Sequence, residues 1–445
     1  MGVSKKNIIE RALGIFTEVY PGEGTTALLM TLNIFLILTS YLIAKVVREP
    51  LILGGGGAEL KSYASAIQVV LLLGVVRLYA WLVAGFPRHK LINYVTLFFA
   101  GCLIFFYVLY SAVEPPSGIF FFLWVGIFSL VIIAQFWSYA NDIYSPNEGK
   151  RLFVILAFGA SAGGVFGPML AGALLDLVGL YNLLLVSAGI LLISLLLTNY
   201  IDSRLQRRPR AMTEDKNTSP EEPAMSKQGA LKVVFRSKYL LMIAFLILLS
   251  NWVNTTGEYI LGSGVESAAG EIEGGADAAK AFIGGFYADF YTLVGFVGML
   301  LQLFIVSRVI KYLGIRLALM TLPIIAIGGY MLIAIYPVLG IIRWSKTAEN
   351  ATDYSLNNTV RHILFLPTTK EEKYKAKVAI DSFFVRAGDV LSAALVFVGV
   401  TWLSFEIYQF ALFCLALTIV WLWLAFRIGV ENRRLEKART MVDGN

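Results

Sequence analysis

"ENATDYSLNNTVRH", residues 349–362, stands inside a chain that is otherwise strongly apolar. Of its 445 residues 58% are hydrophobic, and the mean hydropathy is +0.72. Around this stretch, however, Arg343, Lys346, Glu349, Asp353, Asn357, Asn358 and Arg361 follow one another closely. Read as a loop, it removes one membrane crossing. Read as a helix, it must hide a polar face from lipid.

The neighbouring sequence decides that a membrane is the frame. "TALLMTLNIFLILTSYLIA", "FFFLWVGIFSLVIIAQFW", "YNLLLVSAGILLISLLL" and "IYQFALFCLALTIVWLWLAF" are each close to the ~20 residues needed to cross ~30 Å of hydrocarbon. None alternates as a barrel strand does, so helices must satisfy the backbone. The expected architecture is an all-α polytopic membrane protein with twelve transmembrane helices. They fall near 26–50, 62–85, 91–113, 119–140, 152–175, 181–200, 239–260, 281–305, 314–336, 339–364, 376–400 and 405–427.

Arg343, Lys346, Asp353 and Arg361 in the tenth span would together cost about 10 to 14 kcal/mol in hydrocarbon, at ~2.5 to 3.5 kcal/mol each. Their spacing offers a way out. Arg343, Lys346, Asn350, Asp353, Asn357 and Arg361 recur at intervals of three or four, while Trp344, Ala348, Ala351, Val360 and Ile363 fall mostly on another face. The stretch is therefore expected to be a helix whose polar face lines a water-filled cavity between two halves of the protein. An external loop followed by a short span is the competing reading.

Charge distribution sets the orientation. With both termini in the cytoplasm, 28 of the 37 Lys and Arg residues fall in cytoplasmic segments, and Lys61 and Lys280 are the ones left in outer loops. A bacterial inner membrane is the expected location. Residues 1–25 carry Glu10 and Glu18 and are too polar for a secretory signal. They are expected to lie along the surface as an amphipathic segment with Ile8, Ile9, Leu13 and Phe16 toward lipid. Residues 201–238 are polar and contain Pro and Ser, as a cytoplasmic linker would. They separate a six-helix half at 26–200 from a second at 239–427, and 428–445 form a cytoplasmic tail.

The halves echo each other. "EPLILG" ends span 1 and "EYILG" ends span 7; "SAGGVF" in span 5 faces "RAGDVL" in span 11. Such parallel repeats fit two pseudo-symmetric halves of the major facilitator kind. Span 5 adds Gly163, Gly167, Pro168, Ala171 and Gly172, which spell G-x-x-x-G-P-x-x-A-G, close to the antiporter motif of many facilitator exchangers. Small residues at that spacing let helices approach closely, so plain packing is an equal reading.

Other charged residues in or near spans are Lys45, Arg48 and Glu49, Arg77, Asn141 and Asp142, Glu258, and Arg386 with Asp389. Basic groups outnumber acidic ones at central positions, which selects an anion, and Arg forks match phosphate or carboxylate oxygens. Arg386 and Asp389, three residues apart, are expected to pair within their helix. Hydrolysis is not supported, because no G-x-x-x-x-G-K-[ST] loop is present and "GGGG" at 54–57 falls in an external turn. Cys102, Cys414, His89 and His362 form no metal or disulfide pattern, and no cofactor is expected.

Several stretches resemble the ATP/ADP translocases, the nucleotide transporters of plastids and intracellular bacterial parasites, with their relatives in free-living bacteria. "YSLNNTVRHILFLP" is similar to the family's K-Y-S-L-F-D-P-x-K-E-M-A-Y-I-P, and "KAKVAID" at 375–381 to its K-x-K-A-x-I-D. "FWSYANDIYSPNEGKRLF" at 136–153 resembles W-x-x-A-N…E-A-K-R-F, and "AKVVREPLIL" at 44–53 resembles R-D-T-K-D-x-L. The resemblance implies a facilitator fold. It puts the family's span-1 lysine at Arg48 and its span-10 lysine at Arg361. Its acidic positions fall near Glu148 or Asp142 and at Glu258, with Lys150 and Arg151 beside the first of these. Where the family has Lys-Glu, this chain has Arg361-His362.

The expected protein is a monomeric secondary carrier, not an enzyme and not a nucleic-acid binder, that exchanges an anionic phosphorylated substrate such as a nucleotide by alternating access. Lys45, Arg48, Glu49, Asn141, Asp142, Glu258, Arg343, Lys346, Asp353, Asn357 and Arg361 are its expected substrate contacts. Glu148, Lys150, Arg151, Gly163, Gly167, Pro168, Gly172, Arg386 and Asp389 are its expected packing and gating residues. A proton-coupled exporter using Asp353 and Asp389, and a lipid-handling or scaffold protein without soluble cargo, are the alternatives.

Overall fold

Helix α1 (Gly24–Gly85) has 62 residues, about 93 Å at 1.5 Å per residue and about three times the hydrocarbon thickness. It is interrupted at Gly57, where φ is 73° and ψ is −178°. A Cβ there would meet the Glu266 carboxylate at 2.6 Å, and L-residues avoid that φ in any case. Two spans therefore stand where the helix looks like one. Gly54, Gly55 and Gly56 keep helical geometry, so the expected turn of four glycines is confined to Gly57.

The structure, a computed structural model, describes residues 10, 17–113, 118–206, 230–369, 372 and 376–443. After α1 come α2 (Arg88–Ala112), α3 (Ile119–Ile143), α4 (Pro146–Val178), α5 (Asn182–Gln206), α6 (Ala230–Arg236), α7 (Lys238–Gly270) and α8 (Gly275–Leu300). These are followed by α9 (Val306–Ile335), α10 (Leu339–Thr352), α11 (Asn358–Ile363), α12 (Lys377–Ala379), α13 (Val385–Thr401) and α14 (Ile407–Asp443). No strand occurs among the described residues. Wide π turns at Leu301–Ile305, Asp353–Asn357 and Ile380–Phe384 join α8 to α9, α10 to α11 and α12 to α13.

Nine helical stretches among the described residues are long and apolar enough to cross a membrane, and two of them, of 60 and 61 residues, are double length. The second is broken at Gly314 (φ 76°). Dividing both and adding the polar α10–α11 stretch is consistent with twelve crossings. The protein is an all-α polytopic membrane protein. The expected amphipathic segment at Ile8, Ile9, Leu13 and Phe16 lies outside the described residues, as does most of the linker, 207–229. α5 runs six residues beyond its expected end and α14 continues to Asp443, since neither stretch contains a proline to stop it.

The chain forms two compact units. One draws on 1–55, 70–219 and 274–295, the other on 56–69, 220–273 and 296–445. In the first, α1 and α5 are tied by polar pairs. Asn33 Nδ2 donates to Thr198 Oγ1 at 2.6 Å and to the Ser194 carbonyl at 3.2 Å, and the Ser40 and Ser187 hydroxyls meet at 3.0 Å. Such bonds hold helices together where no hydrophobic force separates helix from lipid. The same unit brings α4 against α1 through glycines. A Cβ on Gly159 would lie 2.5 Å from the Thr31 carbonyl, one on Gly163 2.5 Å from the Phe35 carbonyl, and one on Gly167 2.9 Å from the Thr39 carbonyl.

This spacing of four along α4 is a close-approach seam. Gly163→Val is expected to destabilise the unit by about 1–3 kcal/mol, the usual penalty for overpacking, because its nearest neighbour is backbone and cannot rotate away. Thermal unfolding of the purified variant measures it, with Gly189→Val, where a Cβ meets nothing within 4 Å, as the control. Equal losses in both would show that the seam is not tight.

Candidate functional site

In the first unit, Lys45, Arg48 and Glu49 occupy one face of α1 because they are three and four residues apart. Glu49 has no solvent exposure and Arg48 only 13%. Arg48 pairs with Glu49 through Nη2 and, at 3.1 Å, through Nε. The guanidinium also lies 4.6 Å from the centre of the Phe122 ring. The Tyr291 hydroxyl, from α8, donates to Glu49 Oε1 at 2.9 Å, and the Tyr291 ring carries the Lys45 ammonium 4.1 Å above its centre. Arg48 is thus held by the carboxylate and by the Phe122 ring, and Lys45 by the Tyr291 ring.

The first unit's other candidates lie elsewhere along its helices. Asn141 and Asp142 lie exposed in the last turn of α3. Glu148 closes a capping box with Ser145 at the start of α4: its carboxylate accepts from the Ser145 N–H at 2.8 Å, and its own N–H donates to Ser145 Oγ. Lys150 follows in α4. Arg151 reaches Glu23 at 2.9 Å and the Glu18 carbonyl, and lies 4.1 Å over the Tyr20 ring, pinning the segment that leads into α1. Gly163 and Gly167 belong to the glycine seam. Pro168 lies inside α4, and a Cβ on Gly172 would be 3.2 Å from Ala288. Arg77 is exposed on α1, beside exposed Val76 and Leu78.

In the second unit the opening stretch is helical from Leu339 to Ile363, with the wide turn at Asp353–Asn357 in the middle. Its apolar side includes Trp344 and Tyr354, which are 63% and 57% exposed, as residues facing lipid would be. Its polar side is buried. Lys346 has no exposure and lies 3.1 Å from Glu349 Oε2 and 3.8 Å from Glu258 Oε1. It donates to Asn254 Oδ1 at 3.0 Å. Asn350 Nδ2 donates to Glu258 Oε1 at 2.9 Å, and the Tyr330 hydroxyl to Glu349 Oε2 at 3.0 Å. Gly257 makes room, since a Cβ there would sit 2.8 Å from Lys346 Nζ and against the Tyr330 hydroxyl.

The other polar residues of this helix lie on either side of Lys346. Arg343 is half-buried. Asn357 Nδ2 donates to Asp353 Oδ1 at 2.6 Å across the wide turn. Arg361, 24% exposed, faces Asp381 at 3.6 Å, a longer and more open pairing than that of Lys346 with Glu349. Arg386 and Asp389 form the expected pair at 3.2 Å, and Asp389 also accepts from Asn251 at 2.7 Å and from Thr255 at 2.9 Å. With three donors Asp389 is a firmly held structural carboxylate.

Sequence spacing did not mark Tyr291, Tyr330, Asn254 or Asp381 as members of these clusters. Each comes from a helix or turn distant in sequence, and Tyr and Asn inside an apolar span carry no periodic signal of their own. Glu349 had one, its place three residues after Lys346.

Residues 25–347 match the family model of the Major Facilitator Superfamily. Similar sequences include ADP,ATP carrier protein 1 of Chlamydia pneumoniae, 23% identical over 58% of this chain and 56% of that protein. ADP,ATP carrier protein 2 of Chlamydia trachomatis is 22% identical over 84% of this chain and 82% of its own length. ADP,ATP carrier protein 2 of Chlamydia pneumoniae is 20% identical over 97% and 93%. The chain therefore spans little more than half of the first relative and nearly all of the last. Among solved structures, the nucleoside transporter NupG shares the fold with a TM-score of 0.61 at 12% identity, covering 91% of this chain and 98% of that one. A bacterial homolog of the human lysosomal transporter Spinster, in an inward-facing conformation, has a TM-score of 0.60 at 14% identity, covering 92% and 98%.

Proposed function

The chain belongs to the Major Facilitator Superfamily and is a multi-pass membrane transporter, and on that premise we propose that it exchanges an anionic phosphorylated substrate, of the nucleotide type, by alternating access. The observation that carries this reading is the Lys45–Arg48–Glu49–Tyr291 cluster, in which Arg48 pairs with a buried carboxylate and the Lys45 ammonium lies over the ring of the tyrosine that donates to it. An Arg and a Lys on one face of a buried helix suit an anion, and the Arg48 fork suits a phosphate. The distant relationship to ADP,ATP carriers points to the same class. Lys45 and Arg48 are the proposed phosphate contacts. Both termini are proposed to be cytoplasmic, in a bacterial inner membrane.

A second reading, proton-coupled transport, is favoured by one observation: Lys346, Glu349 and Glu258 form a buried network containing two carboxylates. The two separate in one pair of measurements on the purified protein. A nucleotide at one hundred times its Kd is expected to raise unfolding stability by about 2.7 kcal/mol, whereas the uncharged nucleoside leaves it unchanged. In proteoliposomes, uptake should require a phosphorylated counter-substrate inside. Equal stabilisation by the nucleoside, or accumulation driven by a pH gradient in empty vesicles, would overturn the exchange reading.

A further inference from the structure

A cavity of about 390 Å³ opens in the second unit where α7 begins and α14 leaves its apolar stretch. We propose that it binds the phosphate of an anionic membrane lipid, separately from the transport site. Lys238, Arg427 and Arg434 line it, with Glu431 as the acidic member, 3.9 Å from Arg434. A fourth cation stands beside the wall: the Arg316 guanidinium lies 3.7 Å from the centre of the ring of Phe426, itself a lining residue. Arg316 can run flat along α14 because Gly429 has no side chain; a Cβ there would come within 2.6 Å of Arg316 Cγ.

The cavity floor is preformed. Tyr239 lines it and is buried; its hydroxyl donates to the Leu364 carbonyl at 2.9 Å and accepts from the buried Asn432 Nδ2 at 2.8 Å. That network fixes α7, α14 and the end of α11 to one another, so the cations are carried on a rigid base.

The ligand must be an anion, since the cations around the cavity outnumber its one carboxylate. Phosphate suits Arg and Lys together, the first as a fork and the second as a point charge. Phosphate could arrive free or on a lipid. The wall argues for lipid: Val430, 46% exposed, and Phe426, 39% exposed, line the cavity, and Trp423, 60% exposed and 5.7 Å from the Arg427 guanidinium, continues the same helix away from the polar end. An anion-binding rim set against exposed apolar and aromatic surface at the end of a span matches a molecule with a charged head and a hydrocarbon tail. A free phosphate has no use for the apolar part.

Native mass spectrometry of the full-length protein, titrated in detergent with phosphatidylglycerol or with phosphatidylcholine of the same acyl chains, tests the assignment. Retention of phosphatidylglycerol at least tenfold above phosphatidylcholine is expected, with a loss of that preference in the double variant Arg427→Gln, Arg434→Gln. Both side chains are exposed, so the variant should fold, and its unfolding midpoint in phosphatidylcholine provides the check. If it does not fold, Lys238→Gln alone is expected to reduce the preference. Equal retention of the two lipids, or a preference untouched by these substitutions, would overturn the proposal. Inorganic phosphate that stabilises the lipid-free protein and displaces phosphatidylglycerol at low millimolar concentration would overturn it in favour of a free-phosphate site.

Discussion

Lys346→Ala is expected to destabilise the protein by about 3–5 kcal/mol, the usual cost of removing one partner from a buried ion pair. Lys346 has no solvent exposure, and its ammonium lies within 4 Å of both Glu349 and Glu258. Without it, two carboxylates face each other in an apolar span, and Asn254 Oδ1 loses its donor. The loss comes from the charges left behind more than from the attraction removed. It follows that Lys346→Met combined with Glu349→Leu should recover most of the stability. Glu258 remains partly exposed and still accepts from Asn350 in that variant. Chemical denaturation in detergent, followed by tryptophan fluorescence, compares the single and double variants. A single variant as stable as the wild type, or a double variant worse than the single, would refute the account.

Arg48→Ala is expected to reduce exchange of a phosphorylated substrate by between roughly 30-fold and a few thousand-fold. Truncating one member of a buried, hydrogen-bonded charge pair between partners costs about 2–5 kcal/mol, and each 1.4 kcal/mol is tenfold. Arg48→Lys should fall between, because it keeps the charge but loses the fork. Arg48 also neutralises Glu49, so a purely structural role must be separated from ligand contact. The double variant Arg48→Ala, Glu49→Gln does so. It removes the stranded carboxylate while keeping an acceptor for the Tyr291 hydroxyl. If Arg48 only compensates Glu49, exchange returns in the double variant; if Arg48 holds the phosphate, exchange stays low. Counterflow of radiolabelled substrate in proteoliposomes reads the difference.

The opening stretch shows how far spacing carried the reading. Arg343, Lys346, Asn350, Asp353, Asn357 and Arg361 were legible as one polar face, and residues 349–363 are helical. The same spacing made Lys346 and Arg361 look equivalent, and they are not. Lys346 is enclosed by two carboxylates and has no exposure, whereas Arg361, partly exposed, meets one carboxylate among the described residues. The difference arises because α7 brings Glu258 and Asn254, and α9 brings Tyr330, to the first position. Among the described residues, Asp381 alone is paired with the second, from a wide turn that periodicity does not foresee. Span 5 is similar. Its small residues promised a close helix contact, but the seam's first member, Gly159, lies outside the G-x-x-x-G-P motif and is recognised by its approach to Thr31.

By itself the sequence determined the solvent of this protein. Runs of ~20 apolar residues cannot remain in water, helices alone satisfy their backbone in lipid, and charges inside them must find a partner or a cavity. Those constraints are local and survive any arrangement of the helices. Tertiary structure decided which charges are spent on each other. Lys346, Arg386, Arg151 and Arg48 are engaged by acidic groups on their own or neighbouring segments, while Lys45 rests on the Tyr291 ring. Pairing depends on distances of 3 to 4 Å between residues up to hundreds of positions apart, and Coulomb attraction between such groups is set by packing, not by order along the chain.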